Sequence, residues 1–334
     1  MSTPEKQYIL IVLCAGLGTR LRPLTDLIPK PVIPILSQPL ATYTINKLLP
    51  LGDVHINTFH KASQVREEVN TYYQKHPNPS HYSIHYHDEK VLLGTGGGIF
   101  NICENIKKQS NIKSLDKDII VMSGDIYTQM DFNQIIHYWE TQCQDAGALM
   151  TVLSLTEQRD DALSVNNGLV VGFNGLKSQS NSIGTKELSE PLNESEKENH
   201  SMMFSNFQII SHKLYEKAIS SYKEPPVISS VSLFYQKAIT EKLPIIAYAD
   251  ESPWFNVGDP SEYAACLSSI GAPYQDYAWQ AGCLQCPLED NLDYPLVTDL
   301  SYSPYRVEIT GSSNLSYQRL SLSSTLLLRL QYLS

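Results

Sequence analysis

The chain has 334 residues, a length that suits one large α/β domain with an appendage or two small domains. Its formal net charge of −10 argues against a nucleic-acid partner, because such binding needs lysine and arginine to neutralise phosphates. Its cysteines number only 6, which argues against a disulfide framework, and no stretch of the sequence is apolar for long enough to span a membrane.

The first predicted element is a continuous apolar run at 8–14, typical of a central parallel strand that is covered on both faces. A signal peptide is the alternative, since the run follows Lys6, but its apolar core is short and a glycine-rich loop follows immediately. A buried strand fits these residues better, and we expect a cytoplasmic protein.

Strand-like and helix-like segments alternate through the first 155 residues or so. This alternation predicts a doubly wound, mixed but mostly parallel α/β sheet of the Rossmann-like kind, whose ligands bind at the carboxyl ends of the strands. The further predicted strands lie at 53–59, 82–87, 117–123, 146–155, 202–210 and 244–249, and the predicted helices at 40–51, 62–75, 99–106, 131–143 and 229–242.

Two changes in composition suggest how the chain is divided. The stretch 174–201 is polar and poor in apolar residues, so it is expected to be an exposed insertion in a domain that covers 1–270. The segment 271–334 is low in charge and lacks a helical period, and we expect it to be a small C-terminal extension. Its role as an oligomerisation segment, a partner-binding piece or a lid stays open.

The loop after the first strand combines glycines with basic residues. Gly16 and Gly18 allow a tight turn and a close approach to a ligand, and successive N–H groups in such a turn can bind an anion. Arg20 and Arg22 can grip phosphate oxygens with forked hydrogen bonds, while Lys30 is held between two prolines. A solvated loop with two exposed arginines is the alternative, but it does not explain this clustering. The loop lacks the spacing of a P-loop or a dinucleotide-binding fingerprint.

Two further segments are candidates for a ligand site. The glycines at 94–98 leave the backbone bare, so a flat base or sugar can lie on it; a flexible turn before a helix is the alternative. Asp125 follows an apolar strand, where a carboxylate can ligate Mg²⁺; the alternative is an ordinary turn or helix-capping aspartate.

The segment LCAGLGTRLRPLT, followed by PKP, resembles the signature of the sugar-1-phosphate nucleotidyltransferases, and the resemblance extends over about residues 8–270. Within that family the chain is most similar to the short bacterial N-acetylmuramate-1-phosphate uridylyltransferases and to the guanylyltransferases that act on mannose or heptose phosphates. The resemblance implies an enzyme that uses Mg²⁺ to couple a nucleoside triphosphate, GTP or UTP, to a sugar-1-phosphate. It leaves a homo-oligomer open.

The same resemblance implies roles for individual residues. It makes Arg20 and Lys30 catalytic, Asp125 and Asn256 metal ligands, and Gly168 and Asn206 contacts for the sugar. The residues that it implies in nucleotide binding are Leu13, Ala15, Gly16, Gly18, Thr19, Arg20, Gly96 and Gly97.

The chain departs from the family pattern at several of these positions. Asn256 stands where the family has a metal-binding aspartate, and Asn206 stands where it has glycine. A lysine that many relatives use to hold the sugar phosphate is missing near Ser229. These departures favour an alternative of another class, a catalytically weak homologue that binds nucleotide-sugar as a regulatory or scaffold subunit. An unrelated α/β protein such as a dehydrogenase is a third hypothesis.

Overall fold

The computed structural model describes most of the chain up to residue 270. The described residues are 8–270 except 23, 37, 144–148, 155–162, 167, 174–175, 178–199 and 268, together with 315–322 and 325–332. No helix in these ranges is both long enough and apolar enough to cross a membrane.

The centre of the molecule is a 10-stranded sheet, with helices on both of its faces. The helices are α1 Leu24–Leu27, α2 Leu40–Leu48, α3 Ala62–Lys75, α4 Gly94–Ser110, α5 Phe132–Gln142, α6 His212–Ile219 and α7 Gln236–Thr240. The strands are β1 Tyr8–Leu13, β2 Pro34–Ile35, β3 Gln38–Pro39, β4 Val54–Thr58, β5 Ile84–Asp88, β6 Asp118–Ser123, β7 Ile126–Thr128, β8 Leu149–Ser154, β9 Leu163–Asn166, β10 Leu169–Phe173, β11 Leu176–Lys177, β12 His200–Ile210, β13 Ile245–Asp250, β14 Trp254–Asn256, β15 Leu315–Leu322 and β16 Thr325–Tyr332.

The first half of the chain forms the parallel part of the sheet. β1 pairs in parallel with β4 on one side and with β6 on the other, and β4 pairs in parallel with the edge strand β5. The register aligns Leu13 with both Asn57 and Ser123, so the carboxyl ends of the three central strands meet at one edge. Parallel strands of this kind need crossover connections, which explains the alternation seen in the sequence.

The second half adds strands of both directions. β12 runs antiparallel between β6 and β8, β13 is parallel to β8, and β10 is antiparallel to β13. The predicted mixed, mostly parallel Rossmann-like sheet is therefore confirmed.

Two apolar layers cover the two faces of the sheet. Within β1, Leu10 and Val12 face the layer formed with α2, α3 and α5, while Ile9 and Ile11 face the layer formed with α4 and α6. This double burial is why β1 is apolar at every position rather than at alternate ones.

Only part of the predicted domain division falls on described residues. The expected insertion at 174–201 lies mostly outside them; within it, β11 is a short edge strand and β12 has begun by His200. In the C-terminal extension β15 and β16 form an antiparallel pair, and 271–314 lies outside the described residues. The division at residue 270 stays a prediction.

Candidate functional site

The loop after β1 turns sharply at Gly18. This residue has φ +65°, and its carbonyl accepts hydrogen bonds from the Leu21 N–H at 3.0 Å and the Thr25 hydroxyl at 2.8 Å. A Cβ at Gly18 would also lie 2.8 Å from the Thr25 methyl carbon, so only glycine fits here. A Cβ at Gly16 would meet nothing within 4 Å, which leaves that face of the loop open to a ligand.

Lys30 and Asp125, which are 95 residues apart in the sequence, form an ion pair with 2.5 Å between Nζ and Oδ2. Lys30 begins the 3₁₀ turn Lys30–Val32 and is only 8% exposed, with Pro29 fixing its entry. Asp125 follows β6 by two residues, and the Gly124 N–H donates to the Leu13 carbonyl at 2.8 Å. The pair therefore lies at the carboxyl edge of the central strands, beside the glycine loop.

Asn256 is brought next to Asp125 by a small antiparallel ribbon. β7 pairs with β14, so that Asn256 aligns with Ile126, and the Val257 N–H donates to the Asp125 carbonyl at 3.1 Å. The ribbon thus brings the two predicted metal ligands together. One of the two supplies a carboxylate and the other an amide oxygen.

The two arginines of the loop are exposed and only loosely paired. Arg20 has a side chain that is 65% exposed and lies 3.9 Å from Asp259. A Cβ on Gly258 would lie 2.6 Å from Nη2 of Arg20, so this glycine makes room for the guanidinium. Arg22 forms an exposed pair with Asp26 at 3.1 Å. Exposed pairs of this kind contribute little free energy, so Arg20 can turn toward an incoming phosphate.

The glycine-rich segment at 94–98 forms the first turn of α4, which begins earlier than the predicted 99–106 helix. The N–H groups of Gly96 and Gly97 donate to the Ile228 carbonyl at 3.0 and 3.1 Å, and the Ile228 N–H donates to Leu93 at 2.8 Å. We call 226–229 the covering segment. A Cβ on Gly97 would lie 2.0 Å from the Pro226 oxygen.

The structural role of these glycines is therefore to allow the covering segment to approach α4 closely. The expectation that a base lies flat on their bare backbone does not match this arrangement, because the covering segment occupies the backbone there. A contact of Gly96 and Gly97 with a nucleotide stays a prediction.

Two buried residues connect the loop after β1 with the start of α4, and the sequence interpretation missed both. Asn57 accepts a hydrogen bond from the Cys14 N–H at 2.8 Å and donates one to Glu89 at 2.7 Å. Glu89 in turn accepts from the Leu93 N–H at 3.0 Å. Burial raises the pKa of Glu89, and these two hydrogen bonds oppose that rise. The sequence offers no local signal for Asn57, because β4 also contains the polar residues His55 and Thr58.

Asn206 lies where β12 shifts its register against β8, and it has φ +62°. Asparagine tolerates this left-handed conformation better than most residues, which explains how it replaces the family glycine. The alignment of Phe207 with Met122 places Asn206 close to the end of β6. The bulge is held by Trp254, whose indole N–H donates to the Ser205 carbonyl at 2.8 Å.

Gly168, the other predicted sugar contact, lies at the turn between β9 and β10 with φ +71°. In the sheet order β13, β8, β12 and β6 separate β10 from β1. The structure therefore places Asn206, but not Gly168, beside the end of β6. The preceding Asn167 lies outside the described residues.

A mixed Rossmann-like sheet that carries a glycine turn, a buried lysine and a carboxylate at one strand edge defines the class: an α/β protein whose candidate site lies at the carboxyl ends of its central strands. Residues 9–162 match the family model described as Nucleotidyl transferase. The resemblance to the sugar-1-phosphate nucleotidyltransferases that the sequence shows is thereby confirmed.

Similar proteins carry related names. The chain is 30% identical over 128 residues to the "Bifunctional protein GlmU" of Methanocaldococcus jannaschii, covering 38% of this chain and 27% of that protein. It is 28% identical over 137 residues to the mannose-1-phosphate guanylyltransferase of Mycobacterium tuberculosis, covering 40% and 34%. The match thus spans about a third or less of these relatives. The crystal structure of HddC from Yersinia pseudotuberculosis has a TM-score of 0.54 at 20% identity, covering 79% of this chain and 99% of that one, and shows the same fold.

Proposed function

We propose that this protein couples a nucleoside triphosphate to a sugar-1-phosphate, giving a nucleoside-diphosphate sugar and pyrophosphate. The observation that carries the proposal is the Lys30–Asp125 pair at 2.5 Å, set against the glycine loop at the carboxyl edge of the sheet. This arrangement offers a positive charge, a carboxylate and an open backbone turn in one place. Transfer of a phosphoryl-type group needs little more than positioning and charge neutralisation.

The chemistry would be an in-line displacement at the α-phosphorus. A phosphate oxygen of the sugar phosphate forms the new bond, and the bond from the α-phosphorus to the bridging oxygen of pyrophosphate breaks. The attacking oxygen is already an anion, so no general base is required. Lys30 would exchange its contact with Asp125 for the α-phosphate, and the exposed Arg20 would hold the leaving phosphates.

Asp125 and Asn256 are the residues that would hold Mg²⁺. The described residues contain no group of three or more histidine, cysteine, aspartate or glutamate side chains arranged to hold a metal. One carboxylate and one amide oxygen still fit Mg²⁺, since this ion keeps several waters and takes other ligands from substrate phosphates. When bound, the ion would neutralise charge on the phosphates.

The donor and acceptor are also proposals. GTP or UTP is the favoured nucleotide, and the mannose-1-phosphate named for the Mycobacterium relative is the first sugar phosphate to try. The nucleotide contacts proposed at the end of β1 and in the loop after it are Leu13, Ala15, Gly16, Gly18 and Thr19. A cytoplasmic location and a homo-oligomer remain predictions.

A second candidate function is a regulatory or scaffold subunit that binds nucleotide-sugar without fast turnover. Asn256 favours it, because this position has no negative charge and Asp125 is already neutralised by Lys30.

The two candidates are separated by one assay on the full chain. Purified protein is incubated with Mg²⁺, each of ATP, GTP, UTP, CTP and dTTP, and a panel of mannose, glucose, heptose and N-acetyl amino sugar 1-phosphates. We expect pyrophosphate release with one pair. Silence across the panel, with nucleotide binding still detected by calorimetry, would favour the regulatory subunit. Silence with no binding would contradict both.

A further inference from the structure

One buried pair of side chains joins the loop after β1 to the start of α4, where a contact of Gly96 and Gly97 with the nucleotide is a prediction from the sequence. Asn57, 2% exposed, accepts from the backbone of the loop after β1, and Glu89, 7% exposed, accepts from the backbone at the start of α4. We propose that Asn57 and Glu89 are positioning residues that set the spacing of these two segments. This inference rests on the proposed function.

Every side-chain oxygen and nitrogen of Asn57 and Glu89 takes part in this connection. Asn57 Oδ1 takes the Cys14 N–H and its Nδ2 gives a hydrogen to Glu89 Oε1, while Glu89 Oε2 takes the Leu93 N–H. The distances of 2.8, 2.7 and 3.0 Å are those of well-formed hydrogen bonds. A continuous chain of three hydrogen bonds thus runs from one backbone segment to the other.

Gly98 allows α4 to close over the pair. A Cβ at this position would lie 2.7 Å from Asn57 Nδ2 and 2.9 Å from Glu89 Oε1. The last glycine of the glycine-rich segment therefore serves the connection rather than a ligand.

With asparagine at 57 and glutamate at 89, each donor in this chain of hydrogen bonds faces an acceptor. Replacing Glu89 by glutamine adds a donor that must face either the Asn57 amide or the Leu93 N–H. Replacing Asn57 by aspartate sets two carboxylates against each other where a 2.7 Å hydrogen bond now stands. The double variant N57D/E89Q restores the match, because the new carboxylate accepts from both sides and the new amide donates to it while its oxygen accepts from Leu93.

The test compares wild type, N57D, E89Q and N57D/E89Q as full chains. Calorimetry gives the Kd for GTP and for UTP with Mg²⁺, and pyrophosphate release gives kcat and KM for the nucleotide that is used. Neither residue contacts Lys30 or Asp125 through its hydrogen bonds, so we expect Kd and KM to rise about tenfold in each single variant. We expect kcat to change by less than about threefold, and the double variant to regain most of the affinity.

E68Q is the matched control, because Glu68 is a buried carboxylate on α3 that belongs to neither segment. It should leave Kd unchanged. Folded single variants with wild-type Kd would overturn the positioning role, as would a double variant that is as weak as the singles. If N57D fails to fold, E89Q and the double variant still decide the matter. Wild type that binds none of ATP, GTP, UTP, CTP and dTTP would overturn the proposed function itself, whereas binding without turnover still leaves Kd to test the pair.

Discussion

Lys30 is the residue whose environment distinguishes it most from an ordinary surface lysine. Its side chain is 10% exposed, and its ammonium group lies 2.5 Å from the only carboxylate proposed for the metal. A lysine held in this way loses little further conformational entropy when it contacts a phosphate. The stiff 3₁₀ turn after Pro29 contributes to that ordering.

We predict that Lys30→Ala and Arg20→Ala each lower kcat by about 10²–10³, since each removes a charge that would neutralise the phosphates of the transition state. Arg20→Ala should leave the melting temperature unchanged, because its side chain is 65% exposed. Arg66→Ala is the control, since Arg66 also forms an exposed pair, with Asp88 at 2.9 Å, but lies on α3. Full turnover in either alanine variant, measured by pyrophosphate release, would contradict the assigned role.

The same added methyl group should affect stability at one glycine and nucleotide affinity at another. Gly97→Ala forces a Cβ to within 2.0 Å of the Pro226 oxygen, so the covering segment must shift. We expect a loss of about 1–3 kcal/mol in the free energy of unfolding. Gly16→Ala meets no atom within 4 Å, so its stability should hold while nucleotide affinity falls. Urea unfolding and calorimetry measure the two effects, and equal stability of both variants would refute the close packing at 226–229.

At the scale of elements, the hydrophobic pattern of the sequence was enough to locate a helix or strand that packs against its neighbouring elements. The helix predicted at 62–75 is α3 with the same bounds, and the apolar run at 8–14 is β1. The start of α4 was misplaced because glycine is a poor helix former. What stabilises its first turn is the Ile228 carbonyl, more than a hundred residues away, and no local pattern can reveal that contact.

The same limit applies to the candidate site. The glycine turn, Lys30 and Asp125 could be chosen from the sequence because each has an unusual local setting. Asn57 and Glu89 have no such setting, and their importance comes from hydrogen bonds across strands and to α4. The π-helical turn Val231–Tyr235 was likewise hidden in a segment predicted as a plain helix.

The edge of the sheet carries a group of histidines that should make stability sensitive to acid. His55 and His87 lie 3.0 Å apart across β4 and β5, and His85 stacks on His55 at 5.0 Å between ring centroids. Burial, followed by the nearby His85, lowers the pKa of His87 to about 4. Between about pH 6.5 and about pH 4, therefore, His87 binds a proton in the unfolded chain, where a histidine has a pKa of about 6.5, but not in the folded chain.

We therefore predict that His87 reduces the free energy of unfolding as pH falls from about 6.5 to about 4, by up to about 3 kcal/mol. Glu68 acts in the opposite direction over part of this window, because burial raises its pKa to about 7. The contribution of His87 is isolated by comparing wild type with His87→Gln in urea unfolding at pH 7 and pH 5. Parallel loss of stability in both proteins would show that His87 stays protonated or exposed in the fold.

At the scale of the whole molecule, the central question is whether the site turns over or only binds. The two halves of the sheet meet where β6 lies between β1 and β12, and the ribbon of β7 and β14 brings Asn256 from the second half to Asp125. The proposed metal site thus includes a residue from the part of the chain beyond residues 9–162, the range of the family match. Its donor set carries one negative charge, and Lys30 balances that charge in the structure.

The variant Asn256→Asp tests whether the single negative charge of the proposed metal ligands, balanced by Lys30, limits Mg²⁺ binding and turnover. A second carboxylate next to Asp125 should lower the Mg²⁺ concentration for half-maximal pyrophosphate release by about tenfold, because a charged ligand replaces a neutral one at a hard cation. If wild type is already a competent enzyme, kcat at saturating Mg²⁺ should change by less than about threefold, because the ion then reaches the same complex. A rise of kcat by orders of magnitude would instead show that the natural site has lost its metal, and would favour the regulatory subunit.

Asp259→Asn is the matched control, since Asp259 lies in the same loop but faces Arg20 at 3.9 Å. A Mg²⁺ dependence that is the same for Asn256→Asp and wild type would remove Asn256 from the metal site.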